Sequence, residues 1–312
     1  MNATRHHLLG GLLANPLAAK ELRSRMRGPR TFAVVTCYLL PLGIVSVALY
    51  MLAAESATAN VVSGTPVGKL HFAAVSMLEL GLICLLAPAF TADLVSGERE
   101  RQTLDLLLVT PLTRWQIVVG KLVAALGSLL LLIVVALPIQ AIAILLGGVG
   151  PEELAVAFLI LVLTTVTYGC VGLYWSAHLR TTRSALLLAY ATTLLGVAAL
   201  PFGILVLLIL GQGLFGSRLD VLGWLIDDPS DSPLAVQVLV TLGQLAVATN
   251  PPLTSLFSAV TLTQGKPLLF SERVAGQTVT FVAPWLAFTA VHLLAIAFFV
   301  WRTACALRRS AR

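Results

Sequence analysis

The apolar positions of this chain are gathered into long unbroken blocks, and the polar positions between them are short. Six blocks are long enough to cross a bilayer, which takes about 20 apolar residues in a helix: 31–52, 72–95, 122–146, 154–175, 184–210 and 281–301. Four carry no charge at all; 72–95 holds Glu79 and Asp93, and 281–301 has only His292 as an ionisable group. Proline falls deep inside four blocks, at Pro41, Pro88, Pro138 and Pro201, where it removes a backbone hydrogen bond and bends a helix. A seventh block, 234–249, is 16 residues long and holds Gln237 and Gln244. As a helix it reaches about 24 Å, short of a hydrocarbon core about 30 Å thick. It is therefore expected to be re-entrant or interfacial within the long connection 211–280. The pattern predicts an all-α polytopic membrane protein with six transmembrane helices.

Composition removes the soluble alternative. Residues of the AVILMFWYC set make up 58% of the 312, and only 11% are charged, against about a quarter in soluble domains. Lipid is the solvent in which such a chain covers its surface, and one membrane domain over 1–312 is expected. The net charge of +6 is a matter of placement. With a cytoplasmic start, 16 of the 20 Lys and Arg fall in the segments 1–30, 96–121, 176–183 and 302–312. That bias puts both termini in the cytoplasm of a multi-pass cell (inner) membrane protein. A seventh crossing would carry the basic tail outside. The cations flank membrane and form no aromatic-interleaved basic patch, so nucleic acid is not expected as a partner. Cys37, Cys84, Cys170 and Cys305 form no Cys-x-x-Cys pair and read as small buried hydrophobes, with no metal site. The short apolar run after Arg5 is interrupted by Asn15-Pro16, which argues against a cleaved signal peptide.

Two polar segments are too patterned to be plain connectors. In 15–29, Asn15 and Pro16 suit a helix start and Gly28-Pro29 a stop. Leu22 and Met26 share an apolar stripe with Ala18, while Lys20, Arg23 and Arg27 lie on another face. This is the pattern of an amphipathic helix in the membrane plane. The second segment, 96–111, reads SGERERQTLDLLLVTP. A helix is expected over 98–108, charged at its start through Glu98, Arg99 and Glu100. Leu104, Leu107 and Leu108 then form an apolar patch around Asp105, and Thr110-Pro111 reads as the start of the next helix. The mixed charge favours docking to a protein over an anionic lipid surface.

The run ERERQTLDLLLVTP, followed by Gly120-Lys121, resembles the signature of type-2 ATP-binding cassette (ABC) transporter permeases, and Lys20-Glu21-Leu22-Arg23 is similar to that family's opening helix. The chain departs at Gln102, where Gly is usual, and at Asp105, where Glu is usual. The resemblance implies an exporter permease working by alternating access, paired with a second permease subunit as a homo- or heterodimer. A separate cytoplasmic ABC ATPase would hold ATP and Mg, with no cofactor in this chain. The segment from Glu98 through Thr103 to Pro111 would be the coupling helix docked on that ATPase, with Leu104, Leu107 and Leu108 in a groove and Glu98, Arg99, Glu100 and Asp105 pairing around the rim. The chain itself shows no enzyme signature: GTPVGKL at 64–70 is one residue short of a Walker A loop and lacks its Ser or Thr. An ion-driven secondary transporter or a non-transporting scaffold are the alternatives; the first calls for paired midplane charges and internal repeats. Glu79 is the one deep acid, a candidate for the transport path. Its bland alternative is a structural hydrogen bond to another helix, through His292 or Gln140. Asp93 is expected to cap or pair near the coupling segment.

Overall fold

The computed structural model describes residues 29–58, 67–103, 114–215, 241, 243–265, 268–274 and 277–310. The amphipathic helix expected over 15–29, with Lys20, Leu22, Arg23, Met26 and Arg27, lies outside them except for its last residue. Eight helices and a hairpin follow in order among the described residues: α1 (Pro29–Thr58), α2 (Val67–Thr91), α3 (Ser96–Glu100), α4 (Arg114–Leu145), α5 (Pro151–His178), α6 (Thr182–Phe215), α7 (Pro251–Thr263), β1 (Leu269–Val274), β2 (Gln277–Val282) and α8 (Pro284–Ser310). A further short helical stretch covers 243–248. Five stretches are long and apolar enough to cross a membrane: Phe32–Leu52, Val67–Glu100, Gln116–Leu145, Pro151–His178 and Pro284–Ala306. The sixth expected span corresponds to α6, whose 34-residue backbone is continuous and whose apolar character is described over Thr182–Ala198.

The connection 211–280 departs most from expectation. Expected to be loop after 249, it continues as α7, which Asn250 caps by accepting a 3.0 Å hydrogen bond from the Leu253 amide, with Pro251 in the first turn. The signal was present: Asn-Pro is the same start signature read at Asn15-Pro16. β1 and β2 then pair antiparallel from Leu269↔Val282 to Val274↔Gln277, and β2 alternates polar and apolar residues as a pleated strand does. The strand displaces the start of the last helix from 281 to Pro284, where proline at a first turn costs nothing. Of 234–249, only 241 and 243–249 are described; 243–248 is helical and Thr249 turns into the Asn250 cap.

Contacts divide the chain into two compact units, Met1–Thr193 with Leu293–Arg312, and Leu194–His292. In the first, α5 is the most enclosed span, 61% of its apolar window buried against 17% for α1. It packs closest on α2, and the reason is side-chain size. Thr165, Gly169, Gly172 and Ser176 recur at i, i+4, i+7 and i+11, and all are buried. Small residues at this spacing let membrane helices approach. A Cβ on Gly172 would lie 2.1 Å from Thr91 Oγ1 and 3.2 Å from the Pro88 carbonyl oxygen. At the same place on α2, Pro88 lacks an amide proton and Thr91 Oγ1 donates back to the Ala87 carbonyl at 2.9 Å. α6 is tied in by Tyr190, whose hydroxyl donates to Leu85 O (2.8 Å), and by Trp175, whose indole donates to Thr192 (2.9 Å).

α1 turns Tyr38, Leu42 and Ser46 inward, while Leu40, Ile44, Val47 and Met51 form an exposed apolar stripe, as lipid or a second membrane subunit requires. The cysteines are less uniformly buried than expected. Cys170 is buried and Cys84 and Cys305 partly so, but Cys37 is exposed on α1, which costs nothing against hydrocarbon.

Candidate functional site: the clamped elbow after α2

α2 does not run straight into the polar segment. It ends at Thr91, turns through 92–95, and restarts as the one-turn helix α3. Asp93 stands exposed in that turn. Ser96 is fully buried; its hydroxyl donates to the Ala92 carbonyl at 2.8 Å. Ser176 Oγ of α5 accepts from the amides of Val95 (2.9 Å) and Ser96 (3.0 Å). These amides precede or open α3 and would otherwise lack partners.

The three charges that follow are all used inside the chain. Glu98 pairs with Lys121 of α4 at 2.6 Å, where the lysine is 3% exposed. Arg99 donates to the carbonyls of Leu179 (2.8 Å) and Ala177 (3.4 Å), at the C-terminus of α5 where the helix dipole favours a cation. Glu100 accepts from the backbone amide of Thr182 (2.7 Å) and from its hydroxyl (3.1 Å), at the N-terminus of α6 where the dipole favours an anion. Opposite charges at adjacent positions thus satisfy opposite helix ends across the α5–α6 connection. Within this chain, the three side chains expected around a partner's rim contact α4, the end of α5 and the start of α6. Glu98 meets an ammonium about two turns into α4, whereas Arg99 and Glu100 meet the orphan polar groups at the end of α5 and the start of α6.

The expected continuous helix over 98–108 is corrected. α3 stops at Glu100, and Gln102 adopts φ 59°. The Gln102 amide bonds to Arg99 O (3.1 Å) and the Thr103 amide to Glu98 O (2.9 Å). These are the paired 5→2 and 6→1 bonds of a Schellman stop, with Gln102 at the position glycine favours. The departure from the family pattern at Gln102 therefore falls where a side chain is costly. Replacing Gln102 with Gly is expected to stabilise the protein by about 0.5–1 kcal/mol, and Gln102→Val to destabilise it, since a left-handed L-residue costs about 1–2 kcal/mol. Thermal unfolding in detergent measures both; a Gly variant less stable than the parent contradicts the assignment of this turn. Leu104, Asp105, Leu107, Leu108, Thr110 and Pro111 lie outside the described residues.

Deeper in the same unit, Glu79 is fully buried near the middle of α2. Tyr38 of α1 donates to its Oε1 (3.0 Å) and Gln140 Nε2 of α4 donates to its Oε2. Two turns away, Ser46 of α1 and His71 of α2 share a 2.7 Å hydrogen bond. Glu79 is thus a tie among three helices, with Gln140 one of the two anticipated partners and Tyr38 unanticipated. Its burial encloses it among these helices. His292, the other anticipated partner, stacks on Phe288 with ring centroids 3.7 Å apart.

A bundle of long apolar helices held by buried polar ties, with a charged elbow locked to the ends of α5 and α6 and to Lys121 of α4, defines a multi-pass membrane protein. The family model described as ABC-2 family transporter protein matches residues 15–217, about two thirds of the chain and all of the elbow. The chain belongs to this family and is an ABC transporter permease. No curated protein sequence matches it.

Proposed function

We propose that this permease is the membrane subunit of an ABC exporter, moving substrate by alternating access under the drive of a separate ATPase. The observation that carries this reading is the clamp on α3. A short helix fixed to α4, α5 and α6 at once moves those helices together, which is what a force arriving from a partner requires. Coupling needs contacts that differ between two states, and the Glu98–Lys121, Arg99–Leu179 and Glu100–Thr182 contacts are the ones positioned to differ. The docking surface would be the segment beyond the turn, where Leu104, Leu107 and Leu108 supply the apolar anchor that dominates such interfaces, with Thr103, Asp105, Thr110 and Pro111 beside it. Glu98, Arg99 and Glu100 would transmit the force. Both termini would be cytoplasmic, α6 would be the sixth span, and a second permease subunit would complete the path. ATP and Mg would be bound by the ATPase.

Leu107→Asp is expected to abolish co-purification with the ATPase and ATP-dependent export, while the protein still inserts and unfolds at the parent temperature. Export and complex formation both intact in this variant would refute the docking assignment. An intact complex without export would move the role of 104–111 from docking to transmission.

A further inference from the structure

At the basic end of the first unit, a cavity of about 420 Å³ opens between the end of α5 and the last turns of α8. Arg99, His178, Arg180 and Arg302 line it, and no carboxylate does among the described residues; Cys305 and Ala306 give it an apolar floor. Arg99 spends donors on the α5 carbonyls but brings its charge to the wall. His178 is oriented by a 2.8 Å contact of its Nδ1 with the Tyr174 carbonyl, which directs Nε2 away from the helix backbone. Three guanidinium groups and an imidazole around one cavity select a phosphate-sized anion, because guanidinium matches phosphate geometry with paired donors.

The surroundings select the form of that phosphate. On α8, Leu294, Phe298, Arg302 and Cys305 recur at i, i+4, i+8 and i+11, so they share one face. Leu294 is 73% exposed, Phe298 52% and the neighbouring Trp301 53%. A tryptophan exposed beside an arginine marks the headgroup level of a bilayer, and an exposed apolar stripe running from it marks the acyl-chain level. The cavity therefore sits where a headgroup lies, with a track for its chain leading away along the same helix. We propose that this cavity binds the phosphate headgroup of an anionic phospholipid in the leaflet facing the basic end of the bundle, the acyl chain lying along Phe298 and Leu294. Basic pockets between membrane helices are suited to this chemistry. The bound lipid would bridge the α5–α6 connection, to which Arg99 and Glu100 are clamped, and α8.

The test uses the full chain purified in detergent. Retained lipid is counted by native mass spectrometry, and thermal unfolding is followed with added phosphatidylglycerol, phosphatidylcholine or inorganic phosphate. Phosphatidylglycerol should be retained and should raise the unfolding temperature, with phosphatidylcholine and inorganic phosphate doing neither. The double variant Arg180→Gln/Arg302→Gln should bind phosphatidylglycerol about 30-fold more weakly, at roughly a factor of five per arginine. Arg183→Gln, an exposed cation outside the cavity, should bind as the parent does. Each variant is compared with and without lipid, so a shift in its baseline stability does not enter. Equal retention of the two lipids, an unchanged affinity in the double variant, or an equal loss in Arg183→Gln would overturn the proposal. Inorganic phosphate that protects as well as phosphatidylglycerol would overturn the lipid assignment and leave a soluble phosphate as ligand.

Discussion

Replacing Gly68 with alanine is expected to be among the most damaging single-methyl additions in this protein. The added Cβ would lie 2.0 Å from the carbonyl oxygen of Gly147 and 2.5 Å from that of Ala143. Both obstacles are backbone atoms at the end of α4, so no rotamer change relieves them, and α2 must move away by about an ångström to restore contact distance. Overpacking of this kind costs about 1–3 kcal/mol, and the upper end applies where the obstacle is main chain. Gly172→Ala meets a side-chain oxygen first, Thr91 Oγ1 at 2.1 Å, with Pro88 backbone at 3.2 Å, and should cost less because Thr91 has another rotamer. Gly81 of α2 is exposed and has nothing within 4 Å of its Cβ direction. Gly81→Ala should be neutral or stabilising, since alanine is the better helix former by about 0.8–1.0 kcal/mol in water. Thermal unfolding of the three variants in one detergent should give the order Gly68→Ala below Gly172→Ala below Gly81→Ala. A Gly68 variant as stable as the Gly81 variant would contradict the close α2–α4 contact.

The elements easiest to read from sequence were those decided by length and apolarity. The blocks at 31–52, 122–146 and 154–175 correspond to α1, α4 and α5 because hydrocarbon leaves a helix as the only way to satisfy their backbones. The polar elements depend on local chemistry. α7 was signalled by Asn250-Pro251, yet it follows the block 234–249 and forms no apolar block of its own. The hairpin 269–282 carries only the weak period-two signal of two six-residue strands. The elbow was found as a motif, but its internal bonds could not be read from spacing. Glu98 reaches Lys121, 23 residues on, and Glu100 reaches Thr182, 82 residues on; such pairings follow only from the way α4, α5 and α6 assemble. The same holds for Glu79. An acid at midspan announces a partner, and Gln140 was within the anticipated set. Tyr38 required knowing which face α1 turns inward.

Breaking the Glu98–Lys121 pair should have a second large effect, on coupling as well as stability. Lys121 is 3% exposed and its ammonium contacts Glu98 at 2.6 Å, while the buried Glu98 Oε2 has no hydrogen-bond partner among the described residues. Lys121→Met would leave the carboxylate without its salt-bridge cation. Removing one member of a buried pair costs about 3–5 kcal/mol, and the 26% exposure of Glu98 places this pair at or below the lower end, about 2–3 kcal/mol once solvent screening is allowed for. Glu98→Gln should cost less, because it withdraws the charge that Lys121 balances but keeps an acceptor. The exchanged pair Glu98→Lys/Lys121→Glu tests whether the two act on one another. If they do, its loss will be smaller than the sum of the single reversals by at least about 1 kcal/mol, beyond the scatter expected of independent sites. The transmission role makes a further demand. Under the proposed function, Lys121→Met should lower ATP-dependent export while leaving co-purification with the ATPase intact, since the proposed docking residues lie beyond the turn at Gln102. Export equal to the parent at equal surface amount, in a variant whose unfolding temperature has dropped, would reduce the pair to a structural tie and leave Arg99 and Glu100 to carry the elbow's motion into α5 and α6.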